Sequence, residues 1–134
     1  MRTAILHGAA ALATFAFVLT SAPDAGAATV LTTALAITNN GQTPVCVVTN
    51  VDKKPITVTA QLFDPLFGTP VTPASSTCPV PPATLAPGAG CFVTGGANTN
   101  RYVVVTTSSA KVRAALDVLD GTTGALQVHI PATK

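Results

Sequence analysis

Three stretches of this sequence alternate between apolar and polar residues with a period of two, and this pattern constrains the fold most. At residues 56–62 every second side chain is apolar, with threonine or glutamine between. The segments 111–118 and 126–130 repeat the pattern. A period of two places apolar side chains on one face of an extended strand, whereas an amphipathic helix needs a period of about 3.6 residues. The alternation therefore predicts strands that are buried on one face.

Runs rich in valine and threonine add further strand candidates. Residues 45–48 and 102–105 are almost continuously apolar, which favours central strands. Turn sequences such as Asn39-Asn40-Gly41 and Asp120-Gly121 separate the candidates. The predicted strands are 30–37, 45–48, 56–62, 91–94, 102–105, 111–118 and 126–130. About seven strands at this spacing predict an all-β fold, an antiparallel immunoglobulin/fibronectin-like β-sandwich.

The alternation also predicts which side chains face the core. A shift of one residue would reverse every face, so the assignment is a test of the register. The residues expected to point inward are Val58, Ala60, Leu62, Val104, Val112, Ala114, Leu116 and Val118.

The first 27 residues are typical of a secretory signal peptide. Arg2 supplies a positive start, an apolar run covers 9–19, and Ala25-Gly26-Ala27 matches a cleavage site. The alternative is an uncleaved anchor, but the run is shorter than the roughly 20 residues that a span needs. We therefore expect a signal peptide at 1–27 and a β-sandwich domain at 28–134. The product is expected to be secreted, extracellular or periplasmic, without a membrane span in the mature chain.

Residues 64–90 contain seven prolines, and proline cannot donate a hydrogen bond to a sheet. This segment is predicted to be a long irregular crossover with one short edge strand. Loops of this length are unusual in a compact domain unless they are functional or cross-linked.

Cys46, Cys78 and Cys91 allow one disulfide and three alternative pairings. Secretion favours a disulfide. A Cys78–Cys91 bridge would close a loop of about a dozen residues and contribute roughly 3 kcal/mol, so this pairing is preferred. Cys46 would then be a free, buried thiol, without the positive charge or helix N-terminus that makes a thiol reactive. Neither a zinc site nor any cofactor is expected, because there is no CxxC spacing and one histidine follows residue 27.

Composition excludes several function classes. Charged residues make up 9% of the chain, the formal net charge is +2, and there is no glutamate. A basic surface for nucleic acid is therefore absent from the sequence. His129 is expected on the outward face of its strand, and no serine–histidine–carboxylate set or carboxylate pair has a reason to converge. We expect no catalytic activity. The aspartates after residue 27 are Asp52, Asp64, Asp117 and Asp120.

Three motifs carry a resemblance over residues 46–124: CVVTNVDKKPITVTAQLFD, LAPGAGC and RYVVVTTSSAKVRAALDVLDGTTG. Together they resemble small secreted bacterial immunoglobulin-like β-sandwich proteins of unknown function. The resemblance implies a cysteine-containing strand with an N-V turn, an L-x-P-G turn, an R-Y-C strand and a V-R-A-x-L-x-V-x-D strand. This chain has Val103 where the similar proteins carry the cysteine after R-Y, which implies that Cys46 lacks that partner.

Two classes of function remain compatible with the sequence. The preferred one is a non-catalytic structural or protein-interaction module of the cell exterior, with an unknown protein or cell-surface partner. Sheet edges can accept a partner strand, and the low charge permits self-association. The alternative is a carbohydrate-binding module, for which Phe63 and Phe67 are the possible ligand-facing aromatic residues. The preferred interpretation of both rings is that they pack under the proline-rich loop.

Overall fold

The computed structural model describes residues 28–134, and this part of the chain forms nine β-strands and no helix. The predicted signal peptide at 1–27 lies outside the described residues. The strands are β1 (Thr29–Thr32), β2 (Gln42–Asn50), β3 (Val58–Phe63), β4 (Pro70–Val71), β5 (Ser75–Ser76), β6 (Gly90–Thr94), β7 (Tyr102–Thr107), β8 (Val112–Asp120) and β9 (Leu126–Pro131).

The strands form two antiparallel sheets that share one hydrophobic core. The four-stranded sheet has the order β1-β7-β3-β4, and the five-stranded sheet has the order β5-β6-β2-β8-β9. Leu62 and Val105 from the first sheet are buried in the same cluster as Val48 and Leu116 from the second. The predicted all-β, sandwich-like architecture is confirmed for residues 28–134.

Seven of the strands have four or more residues and correspond to the seven predicted ones. β2 differs most in length, since it was predicted over 45–48 and covers Gln42–Asn50, and β1 was predicted over 30–37 but ends at Thr32. The hydroxyl of Thr33 accepts a hydrogen bond from the N–H of Val103 at 3.0 Å. A side chain thus takes the donor that a continuing backbone ladder would use, and the regular ladder ends here. Ala36 pairs once more with Arg101, through two backbone hydrogen bonds of 2.8 and 3.1 Å.

The proline-rich segment forms two short strands rather than the one predicted. β4 pairs with β3, and β5 pairs with β6 in the other sheet. Residues 72–74 therefore carry the chain from one sheet to the other along one side of the sandwich. Both strands have two residues each, which is consistent with the missing N–H donors of Pro70 and Pro73.

The opposite side of the sandwich is closed by the C-terminal residues. After β9, Thr133 exchanges two backbone hydrogen bonds with Thr32 of β1, at 2.8 and 2.9 Å. The N–H of Ala132 donates to the carbonyl of Ala114 in β8 at 2.9 Å. The C-terminal chain thus joins the last strand of one sheet to the first strand of the other.

The predicted inward faces are correct except in β7. Val103 and Val105 are fully buried, whereas Val104, which was expected inside, is half-buried beside Gln61 on the outer face. The run 102–105 has no polar residue to mark its register, so the sequence does not reveal which valines point inward. The other predicted core residues are buried or pack partly buried against the core: Val58, Ala60, Leu62, Val112, Ala114, Leu116 and Val118.

Candidate functional site

The turn formed by residues 64–69 connects β3 to β4 and is held by the side chain of Asp64. One carboxylate oxygen of Asp64 accepts hydrogen bonds from the N–H of Leu66 at 2.9 Å and the N–H of Phe67 at 3.4 Å. The backbone of Asp64 also bonds Gly68 and Thr69, at 2.9 Å each. Gly68 has a φ of +62°, a left-handed conformation that glycine adopts without strain. The local sequence therefore produces a well-defined 64–69 turn.

The second oxygen of Asp64 links this turn to the rest of the domain. It lies 3.4 Å from a guanidinium nitrogen of Arg101, which also donates to the carbonyl of Asn100 at 2.7 Å. Both charged side chains are largely shielded, with 25% and 18% of their side-chain surfaces exposed. Asp64 therefore connects the turn to the chain that enters β7.

The 64–69 turn presents two large apolar side chains to solvent. Leu66 is 85% exposed and Phe67 is 78% exposed. A single exposed apolar side chain is ordinary, but two adjacent ones on a hydrogen-bonded turn form a small apolar patch of fixed geometry. This feature makes the turn the first candidate for a contact site.

A hollow of about 450 Å³ lies beside the turn. Its apolar lining comes from Leu35, Pro65 and Leu66, and polar residues 98–100 and the Asp64–Arg101 pair supply the rest. An apolar centre within a polar rim is the usual composition of a protein–protein contact. The turn and the hollow therefore form one continuous candidate surface.

The two aromatic residues predicted from the sequence occupy different environments. Phe63 lies on the outer face of the four-stranded sheet and stacks on Tyr102, with ring centroids 5.2 Å apart and an interplanar angle of 15°. Phe67 projects from the 64–69 turn. The interpretation that both pack under the proline-rich loop is wrong for Phe67, because the hydrogen bonds to Asp64 direct the turn outward. The sequence Asp64-Pro65-Leu66-Phe67-Gly68 carries the turn signature that could have revealed this exposure.

The cysteines follow the preferred pairing. Cys78 and Cys91 form a disulfide with Cα atoms 4.8 Å apart, and Cys46 is a free, buried cysteine. Burial raises the pKa of the Cys46 thiol to about 12, and the negative charge of Asp117 adds to the effect. A thiol with this pKa stays protonated at neutral pH and is a poor nucleophile.

His129 and Asp117 form the one pair in the described residues that resembles part of a catalytic site. The Nδ1 atom of His129 lies 2.6 Å from a carboxylate oxygen of Asp117 on the neighbouring strand. A catalytic triad would also need a hydroxyl or thiol hydrogen-bonded to the other ring nitrogen. Among residues 28–134 no such hydrogen bond to His129 is present, so the pair by itself supplies no nucleophile.

The other carboxylates are dispersed. Asp52 accepts a hydrogen bond from the hydroxyl of Ser109, and Asp120 accepts three from Thr122 and Thr123 within the β8–β9 turn. Residues 28–134 contain no group of three or more histidine, cysteine or acidic side chains placed to hold a metal ion. The same part of the chain has no helix with the length and apolarity that a membrane crossing requires.

Comparison with known proteins adds no relative: no family model, no curated protein and no solved structure matches this chain.

Proposed function

We propose that this protein is a secreted, non-catalytic module that binds a protein of the cell exterior through the 64–69 turn. The observation that carries the proposal is the exposure of Leu66 and Phe67 on a turn whose backbone is already ordered by Asp64. A turn backbone that is ordered before binding lowers the entropy cost of association. Aromatic residues next to a hollow with a polar rim are also frequent centres of binding energy.

The disulfide supports the secreted location, because such bonds persist in oxidising compartments. Determining the N-terminus of the protein isolated outside the cell tests this part of the proposal. We expect a start within a residue or two of Ala28. An extracellular product that begins at Met1 would contradict the assignment of 1–27 as a signal peptide.

Cross-linking of the protein in its native setting, followed by mass spectrometry, tests the binding surface. We expect the cross-linked partners to be lost when both Leu66→Ser and Phe67→Ser are introduced. The matched control is Val80→Ser, because Val80 is 79% exposed but lies in the loop between β5 and β6. If the double variant keeps the same partners as the control, the proposal is wrong.

A carbohydrate-binding module is the second candidate, and the exposed ring of Phe67 favours it. Sugar rings stack on flat aromatic faces, so leucine cannot substitute for phenylalanine in this role. Retention on insoluble polysaccharide should then be lost in Phe67→Ala and kept in Leu66→Ala. A protein-binding surface predicts that both substitutions weaken binding to the partner.

We further infer an immunoglobulin-like relationship of four strands, β2, β3, β6 and β7. β2 neighbours β6 in one sheet and β3 neighbours β7 in the other, as strands B, E, C and F do in immunoglobulin domains. Strands β1 and β8 differ from that order. β1 lies beside β7, whereas strand A, the first strand of an immunoglobulin domain, lies beside strand B. β8 lies beside β2, whereas strand G, the last strand of an immunoglobulin domain, lies beside strand F.

A further inference from the structure

The outer face of the five-stranded sheet carries an apolar row that crosses four strands. Phe92 is opposite Val47, Val47 is opposite Ala115, and Ala115 is opposite Pro131. Phe92 and Val47 are 38% and 37% exposed. Neighbouring strands lie about 4.8 Å apart, so this outer row extends over roughly 14 Å. Ala115 is buried within this row, and none of the four residues belongs to the core cluster between the sheets.

Charged residues lie on both sides of the outer row. Arg113 is two residues before Ala115 on β8, and Asp117 is two residues after it. Together with His129 they line a groove of about 490 Å³, whose lining also includes three members of the outer row. This volume is in the range of small-molecule sites, about 300–1,000 Å³.

The two charged side chains of the groove, Arg113 and Asp117, differ in whether they have a partner. Asp117 lies 2.6 Å from the imidazole of His129, and 19% of its side chain is exposed. Arg113 is exposed and forms no ion pair with any carboxylate of residues 28–134. Its guanidinium is therefore the charged group of the lining whose N–H donors have no partner among residues 28–134, and a carboxylate matches these paired donors.

We propose that this groove binds an amphiphilic carboxylate, with its head group on Arg113 and its apolar body along the outer row. The length of the row suits an apolar body of about 10 Å, and the row supplies hydrophobic contact that a bare ion would not use. The site is separate from the 64–69 turn and does not rest on the function proposed for that turn.

Titration of the full chain with octanoate, followed by site-resolved NMR, tests the proposal. We expect saturable shifts at Val47, Ala115 and Arg113, with acetate and 1-octanol each binding at least about tenfold more weakly than octanoate. Acetate contains the head group without the body, and 1-octanol contains the body without the charge. Equal binding of octanoate and either probe, or no shift at these residues, would refute the proposal.

Two variants test whether the carboxylate of octanoate binds to Arg113. Arg113→Gln should weaken octanoate binding by about tenfold or more, because a charge-assisted hydrogen bond is lost. Lys111→Gln is the matched control, since it removes one positive charge from the same chain segment but lies outside the groove lining. Both residues are exposed, and equal thermal unfolding of the two variants verifies the fold. The same octanoate affinity in both variants would contradict the role of Arg113.

Discussion

Cys46 shows at the scale of one residue how burial determines chemistry. Its neighbours across the sheet, Val93 and Leu116, are also buried. We expect Cys46→Val to change the free energy of unfolding by less than about 1.5 kcal/mol, because a small hydrophobe suits this position. Cys46→Ser should lower the free energy of unfolding by more, about 1–3 kcal/mol, because it buries a hydroxyl in an apolar environment without a hydrogen-bond partner. Urea unfolding of the two variants measures the difference.

Thiol labelling provides the second measurement on Cys46. With a pKa near 12 and a buried sulfur, Cys46 should react with iodoacetamide only after the protein unfolds. Labelling of the native protein at the rate of an unfolded control would show that the thiol is accessible. A Cys46→Ser variant as stable as Cys46→Val would show that the site is polar.

Asn50 is the residue whose role the sequence did not reveal. It is fully buried, and its side-chain amide donates to the carbonyls of Lys54 and Leu85 at 2.9 Å each. Its side-chain oxygen accepts from the N–H of Asp52 at 2.8 Å. From the sequence, Asn50 is only a polar residue in a turn after an apolar run. Its partner Leu85 is 35 positions away, so this role depends on tertiary contacts that local patterns do not contain.

At the scale of elements, the disulfide holds the segment between β5 and β6. Cys78 and Cys91 are 13 positions apart, and residues 79–84 between them are mostly exposed. We expect Cys78→Ala to lower the free energy of unfolding by about 2–4 kcal/mol, because the open chain has more conformational freedom when unfolded. Denaturation under non-reducing conditions measures this, with Val80→Ala in the same loop as the control. A change as small as that of the control would contradict the prediction.

We expect two turns to make the stability of the fold depend on acid pH. Hydrogen bonds from the Ser109 hydroxyl and the Lys53 N–H lower the pKa of Asp52, and bonds from Thr123 and Thr122 lower the pKa of Asp120. A pKa that is lower in the folded state stabilises the fold above the pKa of the unfolded state, and this contribution is lost as the pH falls through the folded pKa.

Stability should therefore fall below about pH 4, where unfolded aspartate takes up a proton. The variant Asp52→Asn/Asp120→Asn should show a shallower fall, because asparagine keeps an acceptor oxygen but does not titrate. Thermal unfolding between about pH 6 and about pH 2 measures both curves. Parallel curves would show that other groups cause the acid sensitivity.

For the molecule as a whole, the sequence predicted the architecture but not its connections. Alternation identified strands such as β3 and β8, because one buried face leaves a visible period of two. The pairing of β1 with β7 joins residues 29–32 to 104–107, and no local pattern encodes such a long-range partner. The irregular segment was predicted to begin at residue 64, directly after β3, and it does, but the exposure of Phe67 depends on how Asp64 bonds within the folded turn.

The C-terminal residues are expected to hold the two sheets together on the side of the sandwich where β1 and β9 lie. Deleting residues 132–134 removes the two hydrogen bonds between Thr133 and Thr32 and the one from Ala132 to Ala114. At about 0.5–1.5 kcal/mol for each hydrogen bond, the deletion should cost roughly 2–4 kcal/mol. It also uncovers the edge of β1 at Thr32, and β1 contains no charged side chain to oppose edge pairing. Chemical denaturation measures the first effect and sedimentation velocity measures the second.

Deletion of Lys134 alone is the matched control, because it shortens the chain and removes its last charge while leaving all three hydrogen bonds in place. We expect this control to keep the stability and sedimentation behaviour of the intact protein, whereas the longer deletion associates with increasing concentration. The two effects have different origins: lost hydrogen bonds lower stability at every concentration, but edge pairing needs a second molecule. A longer deletion that is less stable yet sediments like the control at all concentrations would mean that β1, with four residues, is too short an edge to pair with a second molecule.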